Sequence, residues 1–235
     1  MAEKIRLDKL LCELGLGSRT EIKTYAKKGR ITVNSAAIKD TGIKVDPLVD
    51  VICLDGNRLT YVEYEYIMLN KPAGVISSTE DGKTKTVIDI ITSKRNDLFP
   101  VGRLDIDTEG VLLLTNDGEL AHRLLSPKRH VDKTYYLETD SDIPAEAVSI
   151  MKQGFKVDDE LTALPALLEI IDKRKAQLTI HEGKFHQVKR MMHAFGCEVI
   201  YLKRISMGPL LLDARLQPGE YRYLSDKEIT DLKDL

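Results

Sequence analysis

The charge on this chain is divided unevenly, and that division constrains its folding more than any other feature. Residues 1–45 hold ten Lys/Arg and five Asp/Glu, a net +5. The other 190 residues hold the remaining 25 basic and 32 acidic side chains, a net −7, so the 235-residue chain carries only −2 overall. A basic head on an acidic body is the pattern of a polyanion-binding module joined to something else; the plainer reading is a solvated basic helix. At roughly 150 residues per domain the length allows one large domain or two unequal ones. The longest uninterrupted aliphatic stretch, Val111 to Leu114, is far short of the roughly 18 apolar residues a membrane helix needs. Charges at Lys4, Arg6, Asp8 and Lys9 stand where a secretory signal would place its apolar core. Cys12, Cys53 and Cys197 are odd in number, widely spaced and without a Cys-x-x-Cys pair. That excludes a disulfide scaffold and a four-cysteine zinc site and fits a reducing cytosol, so a cytoplasmic location is expected.

The head reads as two helices and a hairpin. Leu7, Leu10, Leu11 and Leu14 fall at i, i+3, i+4, i+7, the apolar stripe of an amphipathic helix, which Gly15 and Gly17 end. Ser18 opens a second helix, with Glu21 completing a capping box. On it Arg19, Lys23 and Lys27 recur every four residues as one cationic ridge, while Ile22 and Ala26 face elsewhere. Gly29 is a C-cap candidate, and Arg30 to Val33 reads as a strand turning at Asn34-Ser35. Arg6 to Leu11, Ser18-Arg19, Gly29 to Asn34 and Lys44 to Pro47 resemble the S4-type RNA-binding domain over about residues 5–55. The resemblance implies that the ridge (Arg19, Lys23, Lys27), with Arg30 on the hairpin, meets RNA phosphates and shape. Such a module binds structured RNA and does no chemistry.

A boundary is expected near Gly56-Asn57-Arg58, giving an S4-type domain over 1–58 and a catalytic domain over 59–235. Beyond it short strands alternate with Gly and Pro turns. Tyr66 to Leu69, the buried Val111 to Thr115, Lys133 to Glu138, Leu167 to Ile171, Ala176 to Ile180 and Val199 to Leu202 read as strands. Glu119 to Leu125 and His186 to Phe195 read as helices, and Ser225 with Glu228 forms a second capping box that opens a last helix. There is no regular βαβ repeat, so the expected class is α+β, with a mostly antiparallel mixed sheet flanked by helices.

Cofactor motifs fail one by one. Gly15-x-Gly17 has Thr at position 20 and follows a helix; Gly82-Lys83-Thr84 has Ser77 where a phosphate loop needs Gly. Asp105-x-Asp107-x-Glu109-Gly110 has Asn116 where a calcium loop needs a bidentate Glu. The five histidines include no i, i+4 pair, so no metal site is expected. What remains is an acidic segment, Gly102 to Gly110, at the mouth of the buried strand, where carboxylates have to face solvent, a cation or a substrate. The plainer reading is an exposed acidic turn. From Gly183 to Arg204 runs a second dense segment with five Lys/Arg and one acid, plainly read as a basic surface helix. Together they favour a cleft in which one carboxylate has a cationic partner and phosphates find the rest.

These segments resemble the bacterial ribosomal-RNA pseudouridine synthases, in particular the RsuA-like branch. The matching stretches are Leu69-Asn70-Lys71-Pro72-x-Gly74, Gly102 to Gly110, Leu114 to Gly118, Lys133-Thr134-Tyr135, Glu182 to Met191 and Pro218 to Tyr221, nearly the whole chain. The resemblance implies isomerisation of a uridine to its C-glycoside with no cofactor: the C1′–N1 bond breaks, the uracil rotates, and C5 bonds to C1′. It makes Asp105 the essential carboxylate, as nucleophile at C1′ or as base at C2′. Lys189 becomes the cation that keeps it charged. Tyr135 is carried over as the ring that stacks on the uracil, and Arg103 as a filler for the space an everted uridine leaves. Asp107 and Thr108 are expected to shape the loop, and Lys184, His186, Gln187 and Arg190 to contact RNA. The run Leu161 to Glu169 and the short C-terminus without a basic tail look most like the small-subunit enzyme, so uridine 516 of 16S rRNA is the expected target and 23S rRNA the alternative. The expected partner is ribosomal RNA or an assembling small subunit, met by a monomer without membrane or small-molecule cofactor. Two rival readings are a non-catalytic ribosome-assembly factor and a sugar hydrolase using Asp105 with Glu109.

Overall fold

A computed structural model describes residues 4–93, 95–126 and 129–235. It contains two compact units: one comprises the chain up to Glu65 together with Thr92–Leu98, the other Tyr66–Ile91 together with Phe99–Leu235.

In the first unit β1 (Ile5–Arg6) leads directly into α1 (Leu7–Glu13), whose Leu7, Leu10 and Leu11 are fully buried. The helix unwinds at Gly15, in the left-handed region at φ 70°. The capping box of α2 (Arg19–Lys27) forms as expected: Ser18 N donates to Glu21 Oε2 at 2.8 Å and Glu21 N donates back to Ser18 Oγ at 3.4 Å. Burial of Ile22 and Ala26 turns Arg19, Lys23 and Lys27 to solvent. Strand β2 (Ile31–Val33) turns at Asn34 and Ser35, both at positive φ, into β3 (Ala36–Ala37). Strand β4 (Lys44–Val45) pairs with β1, while β5 (Ile52–Leu54) pairs with β2 and with β6 (Asn57–Arg58). Leu59 and Tyr61 pack on the same core, so the unit continues past residue 58. Arg95 on the returning segment is buried, pairs with Glu13 at 3.2 Å and Asp97 at 2.5 Å, and lies over the Tyr61 ring.

The second unit follows as β7 (Tyr66–Lys71), β8 (Phe99–Pro100), β9 (Glu109–Thr115), α3 (Gly118–Leu125), β10 (Lys133–Thr139), α4 (Glu146–Gln153), β11 (Phe155–Lys156), β12 (Thr162–Ala163), β13 (Leu167–Asp172), β14 (Lys175–Ile180), α5 (Gln187–His193), β15 (Val199–Met207), β16 (Leu210–Leu211), β17 (Tyr221–Tyr223) and α6 (Asp226–Lys233). Its main sheet runs β13-β14-β10-β15-β9-β7-β17, with β16 on β15 and β8 on β9. All of these pairings are antiparallel except β9 with β15, so the domain is α+β on a mixed, mostly antiparallel sheet. Val111 to Thr115 are buried without alternation because β9 lies inside the sheet, between β7 and β15. On β10 burial alternates, which places Tyr135 (7% exposed) on the covered face and Tyr136 on the other.

Three differences from the expected elements bear on the site. Strand β15 runs on to Met207 instead of stopping at Leu202, because its polar Arg204 and Ser206 are buried by neighbouring strands. Helix α5 begins at Gln187, not His186; His186 sits at φ 49°, a left-handed turn that starts the helix. Helix α4, which packs along β13, is an element the sequence pattern does not announce. Among the described residues no helix is long and apolar enough to cross a membrane.

Candidate active site

The site grows from the junction of β9 with β7 and β15. Lys71 pairs across the sheet with Gly110, and a Cβ on Gly110 would stand 2.1 Å from the Arg204 carbonyl oxygen, so only glycine admits β15 there. Lys71 is fully buried, and its Nζ donates to the carbonyls of Asp105 (3.0 Å), Thr108 (2.9 Å), Pro72 (3.1 Å) and Ile106 (3.4 Å). Burial pushes its ammonium down to about 8, against the pull of Asp107, Asp105 and Glu109. Ser77 clips the other flank: its hydroxyl donates to the Leu104 carbonyl at 2.9 Å and accepts from the Leu104 N–H at 3.0 Å. Gly74 N donates to the Ile106 carbonyl at 2.7 Å. The loop from Gly102 to Thr108 is therefore held through its backbone, which leaves the Asp105 side chain free to point outward.

The Asp105 carboxylate lines a hollow of about 60 Å³ together with Arg103, Thr108, Tyr135, His186, Lys189 and Leu202. Lys189 Nζ lies 3.7 Å from Asp105 Oδ2, and His186 Nε2 lies 3.6 Å from Oδ1. The Lys189 ammonium is held more tightly by Asp107, at 2.6 and 2.7 Å, and these hydrogen bonds keep the Asp107 carboxyl below the usual carboxylate range. Asp107 thus does more than shape the loop: it fixes the cation beside Asp105. The Thr108 hydroxyl is buried in the same wall without a hydrogen-bond partner among the described residues.

The other expected residues divide. Arg103 is exposed at the rim of the hollow. Gln187, expected on the RNA face, is buried; it accepts from Lys184 N at 3.0 Å and donates to Glu182 at 2.6 Å, tying the start of α5. Lys184 is engaged by Glu182 at 3.0 Å and by the Thr162 carbonyl at 2.8 Å. Arg190 forms a two-pronged pair with Asp158 at 2.6 and 2.8 Å, away from the hollow. In the first unit Arg30 pairs with Asp55 at 2.5 and 2.8 Å and covers the Tyr25 ring, whereas Arg19, Lys23 and Lys27 make no ion pair among the described residues. Glu109 accepts from Tyr201 at 2.8 Å; burial and this bond push the Tyr201 phenol up to about 12. Among the described residues no group of three His, Cys, Asp or Glu is arranged to hold a metal ion.

Residues 65–194, which hold Asp105, Tyr135 and Lys189, match the family described as RNA pseudouridylate synthase. The chain belongs to that family. Residues 5–51 match the S4 domain. This pseudouridine synthase is 48% identical, over 96% of its length and 97% of the relative's, to an uncharacterized RNA pseudouridine synthase of Bacillus subtilis. It is 41% identical to the ribosomal small subunit pseudouridine synthase A of Vibrio cholerae, with 97% of this chain and 99% of that one covered. It is 39% identical to the ribosomal large subunit pseudouridine synthase B of Bacillus subtilis, with 98% and 96% covered. A crystal structure of a pseudouridylate synthase superposes over 97% of this chain and 99% of its own at 35% identity, with a TM-score of 0.69. The synthase is thus an isomerase joined to an S4 domain. Sequence reasoning does not find the roles of Lys71, Ser77 and Asp107; for Lys71 the available signal is a lysine ending an otherwise apolar strand.

Proposed function

We propose that this pseudouridine synthase isomerises uridine 516 of 16S rRNA, with Asp105 as the group that acts at the sugar. The observation that carries the reading is the Asp105 carboxylate, 3.7 Å from Lys189, on the wall of a hollow that also holds Tyr135. Asp105 attacks C1′ or removes the C2′ proton; either step releases uracil from the sugar, and both end with C5 bonded to C1′, the C5 proton lost and N1 protonated. Tyr135, on the covered face of β10, stacks on the uracil ring. Arg103 enters the space left when the uridine leaves its stack, an eversion that costs a few kcal/mol. The cationic ridge Arg19, Lys23 and Lys27, with Arg30 beside it, meets RNA phosphates, and His186 and Lys184 border the entry. The protein acts as a monomer in the cytoplasm, on ribosomal RNA or an assembling small subunit.

The 16S target is supported by the relative named for the small subunit; the relative named for the large subunit, at 39% identity, supports a 23S target. The test is pseudouridine mapping on 16S and 23S transcripts treated with purified protein. Conversion at uridine 516 is expected with the wild type and none with Asp105→Ala, whose RNA affinity persists. Conversion confined to 23S rRNA overturns the target, and conversion by Asp105→Ala overturns the site.

A further inference from the structure

Beside the catalytic hollow lies a much larger cavity, about 620 Å³, that shares with it the walls Arg103 to Asp105, Gly183-Lys184 and His186. Its remaining wall carries three exposed large apolar side chains. Phe185 is 69% exposed, Ile106 49% and Leu125 45%, and all three border this one space. Large apolar side chains left in water around a single hollow mark a binding surface. The Phe185 ring is stacked on His186, with centroids 3.8 Å apart and planes 19° from parallel. His186 sits at φ 49°, in the left-handed region that non-glycine residues rarely adopt. The Arg103 guanidinium at the shared rim makes no ion pair among the described residues. On the other side of Phe185 stands the turn Asp158, Asp159 and Glu160, whose carboxylates are engaged by Arg190 and Lys156.

Flat apolar surface next to an unpaired cation suits one ligand chemistry: a nucleobase attached to a phosphate. Because the cavity shares the Arg103 to Asp105 wall with the hollow, we infer that it receives the nucleotide adjoining the target uridine in the same RNA strand. Its base lies on the Phe185–His186 stack and its phosphate on the Arg103 side. Phe185 is then a positioning residue for the isomerisation, and the base it holds contributes to the choice of uridine. The inference rests on the proposed function only in requiring an RNA that this protein isomerises.

The test uses the full-length protein and an RNA fragment centred on the uridine that the wild type converts. Conversion by the wild type reports on the proposed target; dependence on Phe185 reports on this subsite, so the two fail separately. Stacking of one base predicts that Phe185→Ala raises KM about 5- to 100-fold, with a much smaller fall in kcat, and that Phe185→Trp restores it. Replacing either neighbouring nucleotide in turn by an abasic one should raise KM for the wild type by a similar factor at one neighbour, and add nothing further in Phe185→Ala. A KM unchanged in Phe185→Ala, a loss that falls on kcat alone, or penalties that multiply at both neighbours overturns the proposal.

Discussion

At the scale of single residues, Lys71 carries more of the site than its distance from the reacting atoms suggests. It is fully buried, and four backbone carbonyls converge on its ammonium and set where Asp105 points. Lys71→Met removes the donor while filling the space and leaves buried carbonyls unsatisfied, at a cost on the order of 2–4 kcal/mol. We expect a lower urea midpoint at unchanged slope, and a fall in kcat that exceeds any loss of RNA affinity. The same burial makes a pH prediction. Lys71 and Lys133 each titrate at about 8 in the folded protein instead of 10.5, both through burial, with Arg204 also lowering Lys133. Between pH 8 and 10.5 the unfolded chain therefore binds more protons than the folded one, and stability from these groups rises with pH. Thermal melts from about pH 7.5 to 10 should show Lys71→Met losing part of that rise. If the pH dependence of the variant equals that of the wild type, the buried ammonium is not what titrates.

At the scale of elements, the site depends on one parallel contact in an otherwise antiparallel sheet. Gly110 sits at φ 106° with the Arg204 backbone against it, so Gly110→Ala must push β9 and β15 apart while adopting a conformation that L residues avoid. The expected loss exceeds about 4 kcal/mol, seen as insolubility or as a collapsed urea midpoint, whereas an alanine at the open, solvent-facing Gly183 should be nearly silent. The contrast shows what a sequence discloses. Helices α1, α2 and α6 are legible because their signals are local: a leucine stripe in α1, and a Ser and a Glu three apart in α2 and α6. Strand β9 is legible as a run of aliphatic residues between turns. The second half of β15 is not, because Arg204 and Ser206 read as surface residues until neighbouring strands bury them. Helix α4 has no side-chain cap to announce it. Within the site, Asp105, Lys189 and Tyr135 are picked out through the family resemblance, but the direct bond of Lys189 to Asp107 joins positions 82 apart, and no local pattern reports that. Arg190 likewise reads as an RNA contact until the fold brings Asp158 to it.

At the scale of the molecule, the uneven charge of the chain resolves into a division of labour. Much of the excess positive charge of the first 45 residues belongs to the exposed ridge of α2, where Arg19, Lys23 and Lys27 make no ion pair among the described residues; the catalytic domain, by contrast, pairs the cations in and just before α5 with its own carboxylates, as Lys184, Lys189 and Arg190 show. Sequence-independent attraction for RNA should therefore reside mainly in the ridge. Deleting residues 1–58 is a poor way to ask, since Leu59 and Tyr61 pack on the core that would be removed and Arg95 would be deprived of Glu13. Neutralising the ridge in the intact chain is cleaner. Every phosphate left without its cation lowers the slope of log affinity against log salt by about 0.7 to 0.9, so the triple variant Arg19→Gln, Lys23→Gln, Lys27→Gln should flatten that slope by about 2 to 3. Its deficit should shrink as salt rises, and it should appear in KM. A variant that binds RNA with the wild-type slope would move the electrostatic footprint off α2 and onto the catalytic domain, where Arg103 is the first cation to remove.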